Sequence, residues 1–472
     1  MNNQSSFLKD ISKVAGSRLI SLLGSVATGL LVPKLLSVNG YGLLKIYTLY
    51  VVYTALLHFG FPDGILLKYA GTSFDDLSAK RMRTFTAFYM LFQLGIGAVL
   101  SSASIFVRNP DYAFIVLMLG INLVIINVTT YYQFLSQATQ RFSEYSGRYV
   151  LVSVLKIVFI GILFLAKHIF AVEPSYRLYI VGLNIIDGLL LIWYFYTYRE
   201  ITFGQRDPFS DGREEIRSLF QTGIILTIAY QIGHLVFALD RQFVSLLFPT
   251  EVFAHYSFAY TMINMVSTMI ASISIVLLPM LKKTGQEYVN RHYAQILAVI
   301  ASLAGASLAG YYPLNAFIQW FLPQYARSVV YLRIVMPALV LTCCISVVMF
   351  TCFKALDLTR TYLRCGCVAL LIGTVTNAGA YLLFHSPEAI SYASLLTMFL
   401  WFLICNHRLR GYVTVNTGRI ISYIALLILG FYLISAWIPS LWLCMVAYIG
   451  VYLGLLWLFF GRDIAAWIRS RR

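Results

Sequence analysis

Charged side chains are scarce in this sequence. Asp, Glu, Lys and Arg make up 11% of the 472 residues, hydrophobic residues make up 60%, and the mean hydropathy is +0.77. An average soluble domain carries about 25% charged residues, so a soluble chain of this length could not cover its surface. The composition therefore excludes a cytosolic enzyme, a secreted domain and a nucleic-acid-binding protein. The net charge of +16 lies in short basic clusters between long apolar runs, which is typical of a membrane protein.

Sequence patterns for catalysis and for metal binding are also absent. No H-E-x-x-H, G-x-S-x-G or Walker A pattern occurs, so we expect neither an enzyme nor ATP hydrolysis on this chain. All seven cysteines lie in the last third, and Cys365-Gly366-Cys367 lacks metal-site spacing and nearby His or Cys partners. We predict no metal, no resident cofactor and no disulfide framework. Residues 1–13 are polar, and no cleavable signal peptide is predicted.

Long apolar runs fill most of the chain. A spanning helix needs about 20 mostly apolar residues. The predicted fold class is therefore all-α and polytopic, with about 14 transmembrane helices. The candidate spans are 14–36, 43–69, 85–107, 112–136, 148–170, 176–198, 218–248, 251–281, 293–318, 328–353, 361–383, 387–407, 418–437 and 440–460.

The basic residues favour this number of spans. With the N-terminus inside, 25 of the 35 Lys and Arg residues fall in cytoplasmic segments and 8 on the opposite side. This bias predicts that both termini are cytoplasmic and that the number of helices is even. The connections are short, the longest being about 199–217, and we expect no extramembrane domain.

The predicted helices fall into groups of six, six and two. We expect an N-terminal lobe at 1–200, a C-terminal lobe at 201–410, and a helix pair with a basic tail at 411–472. Both six-helix blocks start inside, which makes them parallel, pseudo-symmetric repeats. A weak sequence similarity between residues 41–50 and 251–260 supports this repeat. Two facing lobes would enclose a central cavity.

Ionisable residues at membrane depth are the candidate functional residues, because each is costly against lipid. Arg18 lies near the cytoplasmic end of the first span, either as a snorkelling arginine or as a phosphate-contacting cation at the cavity mouth. Lys156 and Asp187 both fall near the bilayer midplane on adjacent helices. They form either a structural ion pair or a cavity lysine that binds an anionic headgroup and is tuned by the aspartate.

Two further spans carry acidic residues. Asp63 lies in Gly60-Phe61-Pro62-Asp63-Gly64, a composition that breaks or kinks a spanning helix. This kink either serves packing or exposes backbone groups to a substrate or an ion. Asp240 and Arg241 are neighbours on the seventh span and point about 100° apart, so at least one should reach another helix or the cavity.

Three segments resemble the Wzx-type flippases, the polysaccharide transporter branch of the multidrug/oligosaccharidyl-lipid/polysaccharide (MOP) exporter superfamily. The first is residues 32–42 (VPKLLSVNGYG), leading into the helix that ends in Gly64. The second is residues 240–256 (DRQFVSLLFPTEVFAHY), where Ala254 stands in place of the usual glycine. The third is residues 321–337. The commonest plan in the family has twelve helices, and a terminal helix pair is found in some relatives.

The resemblance implies a flippase that moves undecaprenyl-diphosphate-linked oligosaccharide across the bacterial cytoplasmic (inner) membrane by alternating access. Its partners would be this lipid-linked oligosaccharide, membrane lipids, and the polymerase and chain-length machinery of surface polysaccharide. The cations predicted to line the cavity are Arg18, Lys156 and Arg241. The carboxylates predicted to couple transport to H⁺ or Na⁺ are Asp63, Asp187 and Asp240.

Two other functions remain open at this point. An ion-coupled drug or metabolite antiporter of the same superfamily would favour an acidic cavity, whereas basic residues accompany the embedded acids here. A polytopic O-antigen polymerase or ligase would need a large outer loop, and the predicted outer loops have about ten residues or fewer.

Overall fold

The computed structural model describes residues 24–171, 173–413 and 417–470. These residues form helices joined by short connections, and no strand occurs among them. The chain divides into two compact units, one ending at Leu235 and the other beginning at Val236. The boundary falls inside a single long helix, Phe209–Leu247. The division into six, six and two helices stays a prediction.

The first unit is built from α1 to α8 and the beginning of α9. Its second helix is interrupted, since α2 ends in a 3-10 turn (Ala55–His58) and the chain re-enters a helix only at Phe61. The elements are α1 (24–35), α2 (Val38–Thr54), α3 (Phe61–Lys68), α4 (Ala79–Ser102), α5 (Pro110–Ala138), α6 (Phe142–Phe170), α7 (Tyr176–Thr197), α8 (Arg199–Thr202) and α9 (Phe209–Leu247).

The second unit contains the end of α9 and the helices after it. A buried π-helical segment, Cys344–Met349, lies between α14 and α15. The terminal pair α18 and α19 packs against α11 and α12. The elements are α10 (Thr250–Ala271), α11 (Ile273–Ser307), α12 (Tyr311–Phe321), α13 (Ser328–Val335), α14 (Ala338–Cys343), α15 (Phe350–Ala355), α16 (Thr359–Phe384), α17 (Pro387–Leu409), α18 (Gly418–Trp437) and α19 (Leu441–Ser470).

Polar side chains fix where several helices begin. The serines before α2, α4, α7 and α17, and the asparagine before α5, each accept a backbone N–H from the first turn. Such caps satisfy donors that have no partner inside the helix. Proline follows directly at the start of α5 and α17, where its missing N–H costs nothing.

Twelve helices among the described residues are long and apolar enough to cross a membrane. In addition, α10 lies at the predicted eighth span, and α1 is described only from residue 24. These helices are consistent with the predicted number of about fourteen. The connection expected at residues 282–292 is instead helical, because α11 runs without interruption from Ile273 to Ser307. No proline interrupts this segment after its first turns.

Aromatic rings form the core of the first unit around α3. Phe61 stacks on Tyr89 of α4, with ring centroids 4.8 Å apart, and lies 5.1 Å from Phe220 of α9. Tyr131 and Tyr132 of α5 extend this cluster and are fully buried. The cluster holds the short helix α3 against α4, α5 and α9.

Candidate functional site

The predicted break in the second helix is confirmed. Phe59 and Gly60 both adopt left-handed backbone conformations, with φ of 50° and 85°. Gly60 caps α3, and Pro62 lies in the first turn of that helix, where a proline is tolerated. The break therefore places Asp63 in the first turn of a separate helix.

Two buried amides complete the hydrogen bonding beside the break. Gln93 Nε2 of α4 donates to the carbonyl of Leu57 over 3.2 Å, and Asn127 Nδ2 of α5 lies 3.4 Å from the carbonyl of Thr54. Asn127 also donates to Gln93 Oε1 over 2.9 Å. In a continuous helix the N–H of Phe61 would donate to the carbonyl of Leu57. It cannot do so here, because Phe61 lies beyond the break. Gln93 thus satisfies the Leu57 carbonyl, which lipid would leave unpaired, and Asn127 holds the Gln93 side chain in place.

Glycines bring α3 and α9 into backbone contact. A Cβ atom on Gly64 would meet the backbone of Leu219, and one on Gly223 would meet the carbonyl of Gly60. Small residues of this kind allow helices in a membrane to approach closely. The contact between α3 and α9 therefore tolerates no larger side chain at these positions.

Asp63 is buried at this contact. Its Oδ2 atom lies 2.5 Å from Thr227 Oγ1 of α9 and 3.8 Å from His58 Nδ1. His58 Nδ1 accepts the N–H of Gly60 over 3.1 Å, so it carries no proton there. The exposed fractions of Asp63 and Thr227 are 3% and 2%. Within the described ranges, no lysine or arginine forms an ion pair with Asp63.

Charged residues also join α3 to α9 at the C-terminal end of α3, which is predicted to be cytoplasmic. Lys68 and Tyr69 both bond Glu215, the tyrosine over 3.0 Å. Arg81 of α4 lies 3.6 Å from Glu215 and 3.7 Å from Asp207. The residues from 60 to 69 are thus attached to α9 at both ends.

The structure brings Lys156 and Asp187 together. Their Nζ and Oδ1 atoms lie 3.5 Å apart, and the lysine side chain is 32% exposed. One turn away on α7, Asn184 donates to Tyr47 of α2 and accepts from Asn122 of α5, each over 3.0 Å. An ion pair between α6 and α7 therefore exists, and its lysine keeps an accessible face.

Asp240 of the second unit is held by hydroxyl groups. Tyr256 donates to its Oδ2 over 2.7 Å, Tyr260 donates to the same atom, and the backbone N–H of Arg241 donates to Oδ1 over 2.7 Å. The Arg241 guanidinium lies over the Tyr260 ring at 5.1 Å and donates to the carbonyl of Phe237. At least one of the two was expected to reach another helix or the cavity; both contact α10, Asp240 through the Tyr256 and Tyr260 hydroxyls and Arg241 through the Tyr260 ring.

The candidate residues therefore form separate groups. Asp63 lies between α3 and α9, the Lys156–Asp187 pair lies between α6 and α7, and Asp240 with Arg241 faces α10. Arg18 lies outside the described residues. No group of three or more His, Cys, Asp or Glu side chains in the described part of the chain could hold a metal ion.

Several partners of these residues were not predicted. Tyr256 and Tyr260 are four residues apart and share one face of α10, so the spacing alone could have suggested a joint contact. Thr227, Gln93 and Asn127 carry no comparable signal, because single polar residues in apolar helices do not reveal their partners.

Comparisons with known proteins agree with this architecture. The family described as polysaccharide biosynthesis protein matches residues 7–284, which is more than half of the chain. No curated protein matches the chain by sequence. The lipid II flippase MurJ in an inward closed conformation has a TM-score of 0.68 and 14% identity, over 97% of this chain and 100% of that chain.

Two transporter structures are also similar. An outward-facing multidrug resistance MATE family transporter of the MOP superfamily has a TM-score of 0.58 and 13% identity, over 86% of this chain and 96% of that chain. The Vibrio cholerae MATE transporter VcmN has a TM-score of 0.55 and 13% identity, over 87% and 99%. At these identities the likeness establishes the fold.

Proposed function

Because the chain belongs to the polysaccharide biosynthesis protein family, we propose that it is a flippase for undecaprenyl-diphosphate-linked oligosaccharide. It would move this lipid from the inner to the outer leaflet of the bacterial cytoplasmic membrane, by alternating access, to supply surface polysaccharide biosynthesis. The family match carries the proposal. The likeness to a lipid II flippase over nearly the whole chain supports it, since lipid II is also a lipid-linked saccharide.

Cationic side chains would bind the diphosphate. Lys156 is the described candidate with the best geometry, because its side chain is partly exposed and its Nζ atom lies 3.5 Å from Asp187 Oδ1. A phosphate oxygen could replace that carboxylate as its partner. Arg241 would contribute a guanidinium that packs on Tyr260. The role of Arg18 rests on its sequence position alone.

A carboxylate would couple transport to a proton or sodium gradient, since no ATPase motif occurs in the chain. Asp63, Asp187 and Asp240 are the candidates. We favour Asp240, which is 1% exposed and held by two tyrosines, with no ion pair to a lysine or arginine of the described residues. A carboxylate without a fixed cation can exchange a proton or a metal ion during the cycle.

The polysaccharide polymerase and the chain-length machinery would act after the flippase, on the outer side of the membrane.

The orientation of the chain in the membrane can be measured independently of transport. Reporter fusions within residues 199–217 and after Trp467 should both give a cytoplasmic signal, because the predicted cytoplasmic segments hold most of the basic residues. A periplasmic signal at either position would contradict the proposed orientation.

An ion-coupled drug or metabolite antiporter is the second candidate. The likeness to multidrug resistance transporters favours it. The two candidates differ in the charge of the cargo, because an anionic lipid diphosphate needs cations such as Lys156, whereas an organic cation needs carboxylates.

Transport in proteoliposomes separates them. Purified protein is reconstituted with undecaprenyl-diphosphate oligosaccharide, and the lipid reaching the far leaflet is measured with and without an imposed pH or sodium gradient. We expect gradient-stimulated transfer, a loss of about tenfold or more in Asp240→Asn, and no uptake of organic cations. Uptake of organic cations without lipid transfer would establish the antiporter instead. If Asp63→Asn, Asp187→Asn and Asp240→Asn all keep gradient-stimulated transfer, the coupling site lies elsewhere.

A further inference from the structure

The Asp63 carboxyl group, the Thr227 hydroxyl group and a backbone carbonyl form a hydrogen-bonded chain. Thr227 Oγ1 lies 2.5 Å from Asp63 Oδ2 and 3.2 Å from the carbonyl oxygen of Gly223. A threonine hydroxyl has one hydrogen, whereas an ionised carboxylate and a carbonyl only accept. Each contact has a hydrogen of its own only when Asp63 is protonated, donating to Thr227 while Thr227 donates to Gly223.

The histidine beside Asp63 also favours the protonated carboxyl group. His58 Nδ1 faces Asp63 Oδ2 at 3.8 Å and already accepts the N–H of Gly60. The Nδ1 lone pair is therefore occupied by Gly60, and the neutral ring offers Asp63 neither a hydrogen at that nitrogen nor a positive charge. A buried carboxylate that lacks a cation is costly.

We propose that Asp63 is a proton-binding site and that its proton closes the contact between α3 and the first part of α9. This contact, made by Asp63 with Thr227 and by Gly60 and Gly64 with Gly223, is named the clasp. This inference takes up Asp63 as one of the three candidate coupling carboxylates and rests on the proposed function of the chain as a gradient-driven flippase. It adds the identity of the ion, the partner residue and the movement that the ion controls. The site lies entirely within the first unit.

Other titratable groups near Asp63 belong to four elements. His58 lies on the 3-10 turn, Tyr89 of α4 and Tyr230 of α9 are close enough to interact electrostatically with the carboxylate, and Tyr131 of α5 lies beside Tyr89 with ring centroids 5.6 Å apart. Tyrosines are neutral over the physiological range. Asp63 and His58 are therefore the groups whose charge can change there.

Proton release would open the clasp. Water enters when α3 transiently separates from α9; the O–H bond of the Asp63 carboxyl group then breaks, the proton passes to that water, and the Thr227 hydroxyl turns toward the carboxylate. The carboxylate then needs hydration, which the backbone contact of Gly60 and Gly64 with α9 excludes. Water reaches Asp63 only when α3 separates from α9.

Spin-label distances across the clasp test the proposal in the full-length protein. Leu67 and Ser218 are exposed positions on α3 and α9, and both are changed to cysteine after the exposed Cys367 is changed to serine. The distance between the labels is measured at about pH 5 and about pH 9, which bracket the range in which buried carboxyl groups titrate. We expect the main distance peak to shift to a longer value at the higher pH.

Matched variants show which residue causes the shift in the label distance. Asp63→Asn keeps a neutral donor to Thr227 and should give the short distance at both pH values, whereas Thr227→Ser should keep the shift. His58→Gln should also keep it, because glutamine retains an acceptor. Asp75→Asn, which changes an exposed carboxylate, is the control and should behave like the parent protein.

Three results would overturn the proposal: no shift in the parent protein, an unchanged shift in Asp63→Asn, or closure by sodium at the higher pH, which would make the site a sodium site. Because the readout is a distance, the clasp can fail while lipid transfer persists, and lipid transfer can fail while the clasp responds to pH.

Discussion

The long helix α9 takes part in one buried carboxylate contact in each unit, and the two contacts are built differently. In the first unit, Thr227 of α9 meets Asp63 from the broken helix, beside a backbone contact made by glycines. In the second unit, α9 itself supplies Asp240, and two long tyrosine side chains of the uninterrupted helix α10 reach it.

The contact of Asp63 therefore requires two helix backbones to lie close together. The contact of Asp240 does not, because long tyrosine side chains span the distance between the helices. Both place hydroxyl groups rather than cations against the carboxyl group, so a change in protonation at either would break no ion pair among the described residues. Asp187 differs from both, because Lys156 already neutralises it at 3.5 Å.

Substitution of the contact glycines should have the largest effect on stability. Gly64→Ala and Gly223→Ala each place a methyl group against backbone that cannot rotate away, and we expect a loss of up to about 3 kcal/mol. Gly95→Ala is the matched control, because a Cβ atom at that position in α4 meets nothing within 4 Å. Thermal unfolding in detergent measures the difference. Equal stability of Gly64→Ala and Gly95→Ala would show that the two helices can separate at no cost.

Removal of the tyrosine hydroxyls should have an intermediate effect. Tyr256→Phe and Tyr260→Phe each delete one hydrogen bond to a buried carboxylate, at about 1.5 kcal/mol. The rings remain, so packing is preserved. Tyr196→Phe, at a tyrosine of α7 that is 71% exposed, is the control. If each single variant is as stable as the parent, Asp240 is not held by these hydroxyls, and the comparison with Asp63 fails.

Lys156→Ala should have the smallest effect on stability, about 1 kcal/mol or less, because the side chain is 32% exposed and such pairs are weak. Its effect on transport should be large, since the proposed diphosphate contact is lost. Surface glycan and protein abundance in the membrane are measured together. Loss of both in parallel would identify a structural ion pair, whereas loss of glycan at normal abundance, with partial recovery in Lys156→Arg, supports substrate binding.

Much of the architecture follows from the sequence. The all-α, polytopic fold and the resemblance to the MOP superfamily are confirmed, because spanning length and composition are local properties that the bilayer imposes. The break at Gly60–Gly64 was also predictable, since glycine and proline act on their own backbone. The helical course of residues 282–292 was not, because a basic, polar segment at a helix end can leave the membrane without leaving the helix.

The partners of the candidate residues were less predictable. The sequence left two alternatives open for Lys156 and Asp187, and the structure contains the ion pair. Thr227 lies 164 residues from Asp63 in the chain, and no local pattern links them. Contacts of this kind depend on which helix faces which, and side-chain spacing within one helix cannot specify that.

The amides beside the helix break have a consequence for biogenesis. When α2 first enters the bilayer, the carbonyl of Leu57 has no donor, because Gln93, and Asn127 that bonds the Gln93 side chain, belong to helices that are made later. An unpaired carbonyl in hydrocarbon costs several kcal/mol. The broken helix therefore becomes stable in lipid only after α4 and α5 have inserted beside it, so α2 to α5 must mature as one cooperative unit.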